Sequence, residues 1–176
     1  MSLEKGNWEH HSESRFSFSA SMCYIVSMIM PQTKVYLDNC SFNRPYDNQL
    51  HPMIRLETEA KLLIQHEILK GNLGLVWSFI LHYENNDNPY TEKRNQIGLW
   101  EKQATDIVVY SDKISTKARE IMSLGIKAKD ALHLSCAIHA HADCFITTDK
   151  KLLNKTIDGI LISNPIDFLR GYLNED

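Results

Sequence analysis

The chain lacks several of the patterns that usually announce a chemistry. Its four cysteines, Cys23, Cys40, Cys136 and Cys144, are far apart and form no C-x-x-C pair, which gives no support to a zinc ribbon or a thioredoxin-like site. There is no G-x-G-x-x-G and no Walker A loop, so nucleotide-cofactor readings have no support. There is no G-x-S-x-G, and Ser41 and Ser78 have no compelling base partner. The longest distinct apolar stretch outside the regular elements, "MCYIVSMIM" from Met22 to Met30, has nine residues, whereas a membrane-spanning helix needs about 20. It also makes a poor signal peptide: Glu4, Glu9 and Glu13 dilute the positive end, and Gln32-Thr33-Lys34 offers no small-residue cleavage site. Basic residues are not in excess. The net charge is -3, so there is no footprint for tight non-specific nucleic-acid binding. Catalysis on a nucleic acid is still compatible, because a carboxylate site is acidic until a divalent cation joins it.

The 176 residues suit one domain with one sizeable core. With 43% hydrophobic and 23% charged residues, the composition is that of an ordinary soluble globular protein. Residues 1–32 are expected to be a poorly structured extension, and residues 33–176 the domain. Met30 is a candidate start of the folded unit. The cysteines read as reduced and structural, which fits a cytoplasmic location.

From Lys34 onward strands and helices alternate. Strands are expected at Lys34–Leu37, Leu73–Ser78, Asp106–Tyr110, Cys144–Thr148 and Ile160–Ser163. Helical spacing marks Pro52 to Lys70, with Leu56, Ala60, Leu63, Ile64 and Ile68 on the apolar face and Gly71-Asn72 as the stop. Further helices are expected after Ser78, from Thr91 through Ala104, over Asp112–Leu124 ended by Gly125, over the nearly all-apolar Lys127–Ala142, and from Pro165 to about Leu173. Strands that are continuous apolar runs belong to a mostly parallel sheet covered on both faces. Ligands of such sheets bind beyond the carboxyl ends of the strands.

Carboxylates mark that rim. Asp38 ends the first strand and Asp149 follows the strand "FITT". Glu84 lies six residues beyond Ser78, and Asp130 opens the helix leading into "FITT". Singly, each has a plain structural role: an Asx-turn for Asp38, a helix cap for Asp149, a first-turn charge for Asp130 and a solvated helix end for Glu84. Together on one rim they repel unless a cation joins them, and an all-oxygen set suits Mg²⁺ or Mn²⁺ rather than Zn²⁺. His133, one turn after Asp130, is a candidate supporting residue; His139 and His141 read as structural. Arg44 is a candidate phosphate contact.

The stretches "VYLDNCSFNRPYD", "LVWSFILHYENNDNP" and "KAKDALHLSCAIHAHADCFITTDKKLL" together resemble PIN-domain proteins, the last through the D-A-x-H-x-x-x-A and T-x-D segments typical of PIN ribonucleases, including VapC-type toxins of toxin–antitoxin pairs. The resemblance implies a Rossmann-like α/β/α sandwich and metal-dependent endoribonuclease activity, with catalytic acids at Asp38, Glu84, Asp130 and Asp149. Of these, Asp38, Asp130 and Asp149 would hold the metal. Thr147 matches the family's Thr or Ser before the last acid, and Asn39 a small polar position. The partners to expect are RNA, an antitoxin protein and a second copy of the chain. The contrasting reading is a PIN-fold binding or regulatory module with weak or no nuclease activity. The N-terminal extension and the long "NRPYDNQLHP" loop depart from the compact toxins.

Overall fold

The computed structural model describes residues 32–174. The expectations for residues 1–32, Met30 included, lie outside the described residues except at Gln32. In chain order the elements are β1 (Lys34–Leu37), α1 (Asn39–Asn43), a 3-10 turn (Arg44–Tyr46), α2 (Pro52–Leu69), β2 (Gly74–Ser78), α3 (Phe79–Asn86), α4 (Thr91–Gly98), a second 3-10 turn (Leu99–Gln103), β3 (Asp106–Val108), α5 (Asp112–Met122), α6 (Ala128–His139), β4 (Cys144–Ile146), α7 (Lys150–Leu153), β5 (Leu161–Ser163) and α8 (Pro165–Asn174).

The five strands form one sheet in the order β3-β2-β1-β4-β5, and all four pairings are parallel. β1 and β2 are buried almost end to end, as their continuous apolar runs require of strands covered on both faces. From β1 to β3 the chain steps towards one edge of the sheet, and from β3 to β5 it steps back past β1 towards the other. Right-handed crossovers then send the two halves' helices to opposite faces. The packing agrees: α2 lies against α8, α5 against α6, and α6 against β2 and β4. The result is an α/β/α sandwich whose strand order reverses between β1 and β4. A crevice at that reversal is where an open parallel sheet offers its site.

The core fills the space between sheet and helices. Trp77, Tyr36, Phe42 and Phe145 are its largest fully buried side chains. Tyr36 stacks on Phe145 and Phe42 meets Trp77 edge-on. Cys136 and Cys144 are buried, and burial pushes both thiols up to about 12. Gly71 and Gly125 end α2 and α5 at φ +79°, the left-handed backbone that glycine adopts without a Cβ penalty. Among the described residues no helix is long and apolar enough to cross a membrane.

Four expectations are corrected. α2 turns a different face inward: Leu56 and Leu63 are exposed, while Thr58, Lys61 and Gln65 are buried beside Ala60, Ile64 and Ile68. The helix expected over Thr91–Ala104 ends at Gly98 and continues as a 3-10 turn. β3 stops at Val108, leaving Val109 and Tyr110 exposed at a sheet edge. The "NRPYDNQLHP" stretch, expected as a loop, is preceded by a helix over Asn39–Asn43 and holds a 3-10 turn at Arg44–Tyr46.

Candidate active site

Asp38 leaves β1 in an extended conformation and caps α1. Its backbone N–H donates to the Ile146 carbonyl at 2.9 Å, so the cap is tied to the end of β4. The side chain is only 8% exposed. Oδ1 accepts from the Asn39 N–H at 2.7 Å; Oδ2 accepts from the Thr147 hydroxyl at 2.8 Å and from the Cys40 thiol at 3.0 Å. Three donors to one carboxylate hold the anion in a single orientation. Cys40 contributes as a neutral thiol, pushed up to about 12 by burial and by Asp38 beside it.

Thr147 joins the two sides of the crevice. Its Oγ1 donates to Asp38 and accepts the Asp149 N–H at 3.1 Å. Asp149 caps α7 by accepting the Lys151 N–H at 2.7 Å. Asp130, in the first turn of α6, has its carboxyl pushed above the usual 3.8, first by burial and then by the charges of Asp38 and Asp149; His133 and Lys127 ease this. Asp38, Asp130 and Asp149 therefore share one electrostatic environment at the rim where β1 and β4 end.

Glu84, on α3, is held differently. Oε2 lies 3.0 Å from His133 Nε2 and Oε1 lies 3.3 Å from Lys129 Nζ. The His133 hydrogen bond is the main reason its carboxyl sits below the usual range. His133 is 2% exposed. Its Nδ1 lies 2.7 Å from the Tyr36 hydroxyl, which lies 2.6 Å from Ser78 Oγ. One proton arrangement, assigned from the partners, satisfies the whole chain: Ser78 donates to Tyr36, Tyr36 to His133 Nδ1, and His133 Nε2 to Glu84. Burial pushes the Tyr36 phenol well above its usual value, which keeps it a donor.

The stretch from Arg55 to Ile157 matches the family model for the PIN domain. The chain belongs to the PIN-domain family. Glu84, Asp130, Thr147 and Asp149 lie inside the matched stretch, and Asp38 precedes it. Among solved structures, this PIN domain is similar to VapBC2 from Rickettsia felis, solved bound to a DNA fragment from their promoter. The two chains are 18% identical, with 75% of this chain and 98% of that one covered, at a TM-score of 0.48. FitAcB from Neisseria gonorrhoeae is 16% identical, with 74% and 97% covered, at a TM-score of 0.47. No curated protein matches the sequence.

The sequence-level candidates fall into two groups. Asp38, Thr147 and Asp149 are linked by hydrogen bonds, Asp130 feels the charges of Asp38 and Asp149, and His133 reaches Glu84. Asn39 contributes its backbone N–H to Asp38, while its side-chain oxygen accepts from Asn43 at 3.1 Å. Arg44 is not a free cation: its guanidinium pairs with Asp47 at 2.8 Å and Glu57 at 2.9 Å. Nor do the acids form a ready-made ligand cage. Among the described residues no three His, Cys, Asp or Glu side chains are grouped to hold a metal ion, because Glu84 is turned to His133 and Lys129 while Asp38 and Asp149 serve as caps. The donor set still fits a hard divalent cation. It is all oxygen, and it leaves carboxylate lone pairs free. Mg²⁺ needs only one or two protein carboxylates beside water and substrate phosphate.

Sequence reading missed Cys40, Tyr36, Ser78 and Lys129. Tyr36 carried a usable signal, since a tyrosine inside a continuous buried run needs a partner for its hydroxyl.

Proposed function

We propose that this PIN domain is a metal-dependent endoribonuclease that hydrolyses RNA phosphodiester bonds at the β1–β4 crevice. PIN domains are generally nucleases. The observation that carries the reading is the hydrogen-bonded link from Asp38 through Thr147 to Asp149 at the ends of β1 and β4, with Asp130 near enough for both charges to add to burial in raising its carboxyl. A structural cluster would pair these charges with basic side chains, as Glu84 is paired. Among the described residues Lys127 and His133 only ease the charge on Asp130, which leaves room for a cation.

Asp38, Asp130 and Asp149 would hold Mg²⁺ or Mn²⁺. When bound, the cation supplies positive charge to phosphate oxygens and acidifies water. The chain's own residues do the rest. The Asn39 N–H, Cys40 and Thr147 fix the Asp38 carboxylate, and Thr147 sets the spacing to Asp149. His133 and Lys129 hold Glu84 ionised on α3. Water adds to phosphorus, one P–O ester bond breaks, and the ribose oxygen leaves with a proton.

The test is cleavage of total RNA with Mg²⁺ or Mn²⁺ against chelator, for wild type and Asp38→Asn. The expected result is cation-dependent cleavage that the variant loses. Equal cleavage by both proteins sinks the assignment. The second reading, a binding module without turnover, is favoured by the pairing of Glu84 with His133 and Lys129; it calls for neither cleavage nor Mn²⁺-dependent stabilisation. A toxin role has its own assay: expression of the wild type arrests growth, Asp38→Asn does not, and a small protein co-purifies from the native cell.

A further inference from the structure

The loop "NRPYD" has no part in the chemistry above, yet it is braced by several polar contacts. Arg44 pairs with Asp47 and with Glu57 of α2. The Arg44 carbonyl accepts from Gln49 Nε2 at 3.0 Å and from Thr58 Oγ1 at 3.2 Å. Pro45 fixes the backbone of the 3-10 turn. What this bracing presents is Tyr46, 39% exposed. A second tyrosine, Tyr90, 62% exposed, precedes α4. Between them stands Lys93, its ammonium 5.2 Å from the Tyr46 ring centroid and 4.5 Å from that of Tyr90. Asn88 Nδ2 donates to Asn43 Oδ1 at 3.3 Å, tying the α3–α4 connection to α1. Both tyrosines follow strands that end at the acid rim, and the path from Asp38 along α1 and the 3-10 turn to Tyr46 is no longer than about 14 Å.

We infer that Tyr46, Lys93 and Tyr90 form a stacking subsite for unpaired bases of a single-stranded RNA whose backbone enters the acid crevice. The inference rests on the nucleic-acid reading of that crevice. Two exposed rings with a cation between them are the elements of sequence-tolerant single-strand binding: the rings take bases and the cation takes the backbone. The chain's net charge of -3 leaves little non-specific attraction, so stacking has to supply much of the affinity. One group opposes it: Glu92, in the first turn of α4, is close enough to help raise the Tyr46 phenol, after burial. The bracing of Arg44 then has a purpose, since a ring held rigidly loses little entropy when a base stacks on it.

The experiment uses the full chain and a 5′-fluorescein-labelled oligouridylate in chelator, read by fluorescence anisotropy. Tyr46→Leu with Tyr90→Leu should weaken binding by roughly tenfold for each ring lost. Tyr46→Phe with Tyr90→Phe should stay within about twofold of wild type, because stacking needs the ring and not the hydroxyl. Glu92→Gln should bind more tightly. A fully paired hairpin should bind wild type no better than the Leu variant binds the single strand. The inference is overturned if the Leu variant binds as wild type does, if the Phe variant fails as the Leu variant does, or if wild type prefers the hairpin. It is also overturned if the Leu substitutions release a co-purifying protein and leave RNA binding intact, which would make the surface a protein dock. Thermal unfolding checks each variant; Tyr90→Leu alone, at an exposed position whose side chain makes no cap, serves if the double variant does not fold. Ring-dependent binding without cation-dependent cleavage would refute the nuclease and keep the subsite. Cleavage without ring dependence would do the reverse.

Discussion

Tyr36→Phe tests the buried chain behind Glu84 with almost no change of shape. The ring of Tyr36 is fully buried and stacks on Phe145 at 5.3 Å, and phenylalanine keeps that contact. Only the hydroxyl goes, and with it bonds of 2.6 Å to Ser78 and 2.7 Å to His133. Ser78 keeps the bond its oxygen accepts from the Leu81 N–H at 3.3 Å, but its hydroxyl loses its acceptor. His133 Nδ1 loses its donor inside a side chain that is 2% exposed. An orphaned buried acceptor costs about 1–3 kcal/mol, so the expected loss is about 2 kcal/mol. At a slope of about 2 kcal/mol per molar urea, the midpoint falls by about 1 M. The melting temperature falls by about 6 °C for a domain of this size. Tyr36→Phe and Ser78→Ala together should cost less than the sum of the two, since each removes the same bond. If the cluster is catalytic, Tyr36→Phe also lowers kcat and leaves KM for RNA unchanged, because Tyr36 sits behind the site and acts through His133. A loss under about 0.5 kcal/mol, or strict additivity with Ser78→Ala, would refute the chain as drawn.

Asp130→Asn bears on the missing charge. Because the Asp130 carboxyl is raised above its ordinary 3.8 in the folded protein, its contribution to stability is full below that value and is lost as pH rises through the folded value. The metal-free variant should therefore match wild type in acid and exceed it at neutral pH, in urea midpoints taken across that range; a variant less stable at neutral pH would contradict the convergence of charges. Thr147→Val deletes the hydroxyl that bridges Asp38 and the Asp149 N–H. It should weaken Mn²⁺ binding by about 10- to 100-fold in a thermal-shift titration, with Thr147→Ser restoring it; unchanged affinity would remove Thr147 from the site. Lys61 is 4% exposed and burial lowers its ammonium to about 8 from 10.5. Wild-type stability should thus rise with pH above about 8, and Lys61→Met should flatten that slope and stabilise the protein at pH 7 by up to about 3 kcal/mol; a slope that survives the substitution would show that another group causes it.

The elements legible in the sequence were those whose cause is local. Gly71 and Gly125 stop α2 and α5 because they alone take φ +79° there without strain. β1 and β2 read as buried parallel strands because, after Lys34, nothing polar except Tyr36 interrupts them before Asp38 and Ser78. The misses have tertiary causes. The spacing of apolar residues gives α2 the wrong face because hydropathy counts Lys61 as outward. In the fold its ammonium lies 5.7 Å from the Phe42 ring centroid, and its stem covers apolar surface, while Leu63 is left exposed. α1 is too short for any period to show, and it forms because Asp38 caps it and Phe42 anchors it in the core. The acids could be placed on one rim from topology alone, but their partners could not. That Glu84 faces His133 and Lys129 rather than the other three acids depends on how α3 and α6 pack.

The same packing resolves the ambiguity of Asp38. A carboxylate ending a strand can be a turn residue or a reactive group, and here the first role does not exclude the proposed second. Capping α1 and accepting from Thr147 and Cys40 gives Asp38 favourable partners that involve no cation; caps contribute about 1 kcal/mol each and hydrogen bonds to charged groups about 1.5–3. Asp149 has the same arrangement at α7. Those local bonds offset the repulsion the two acids exert on Asp130, so the domain can fold before any cation arrives. Asp130 is left with a carboxyl raised first by burial and then by those two charges. The helix caps are therefore not an alternative to the site but the condition for keeping three carboxylates together at the end of β1 and β4.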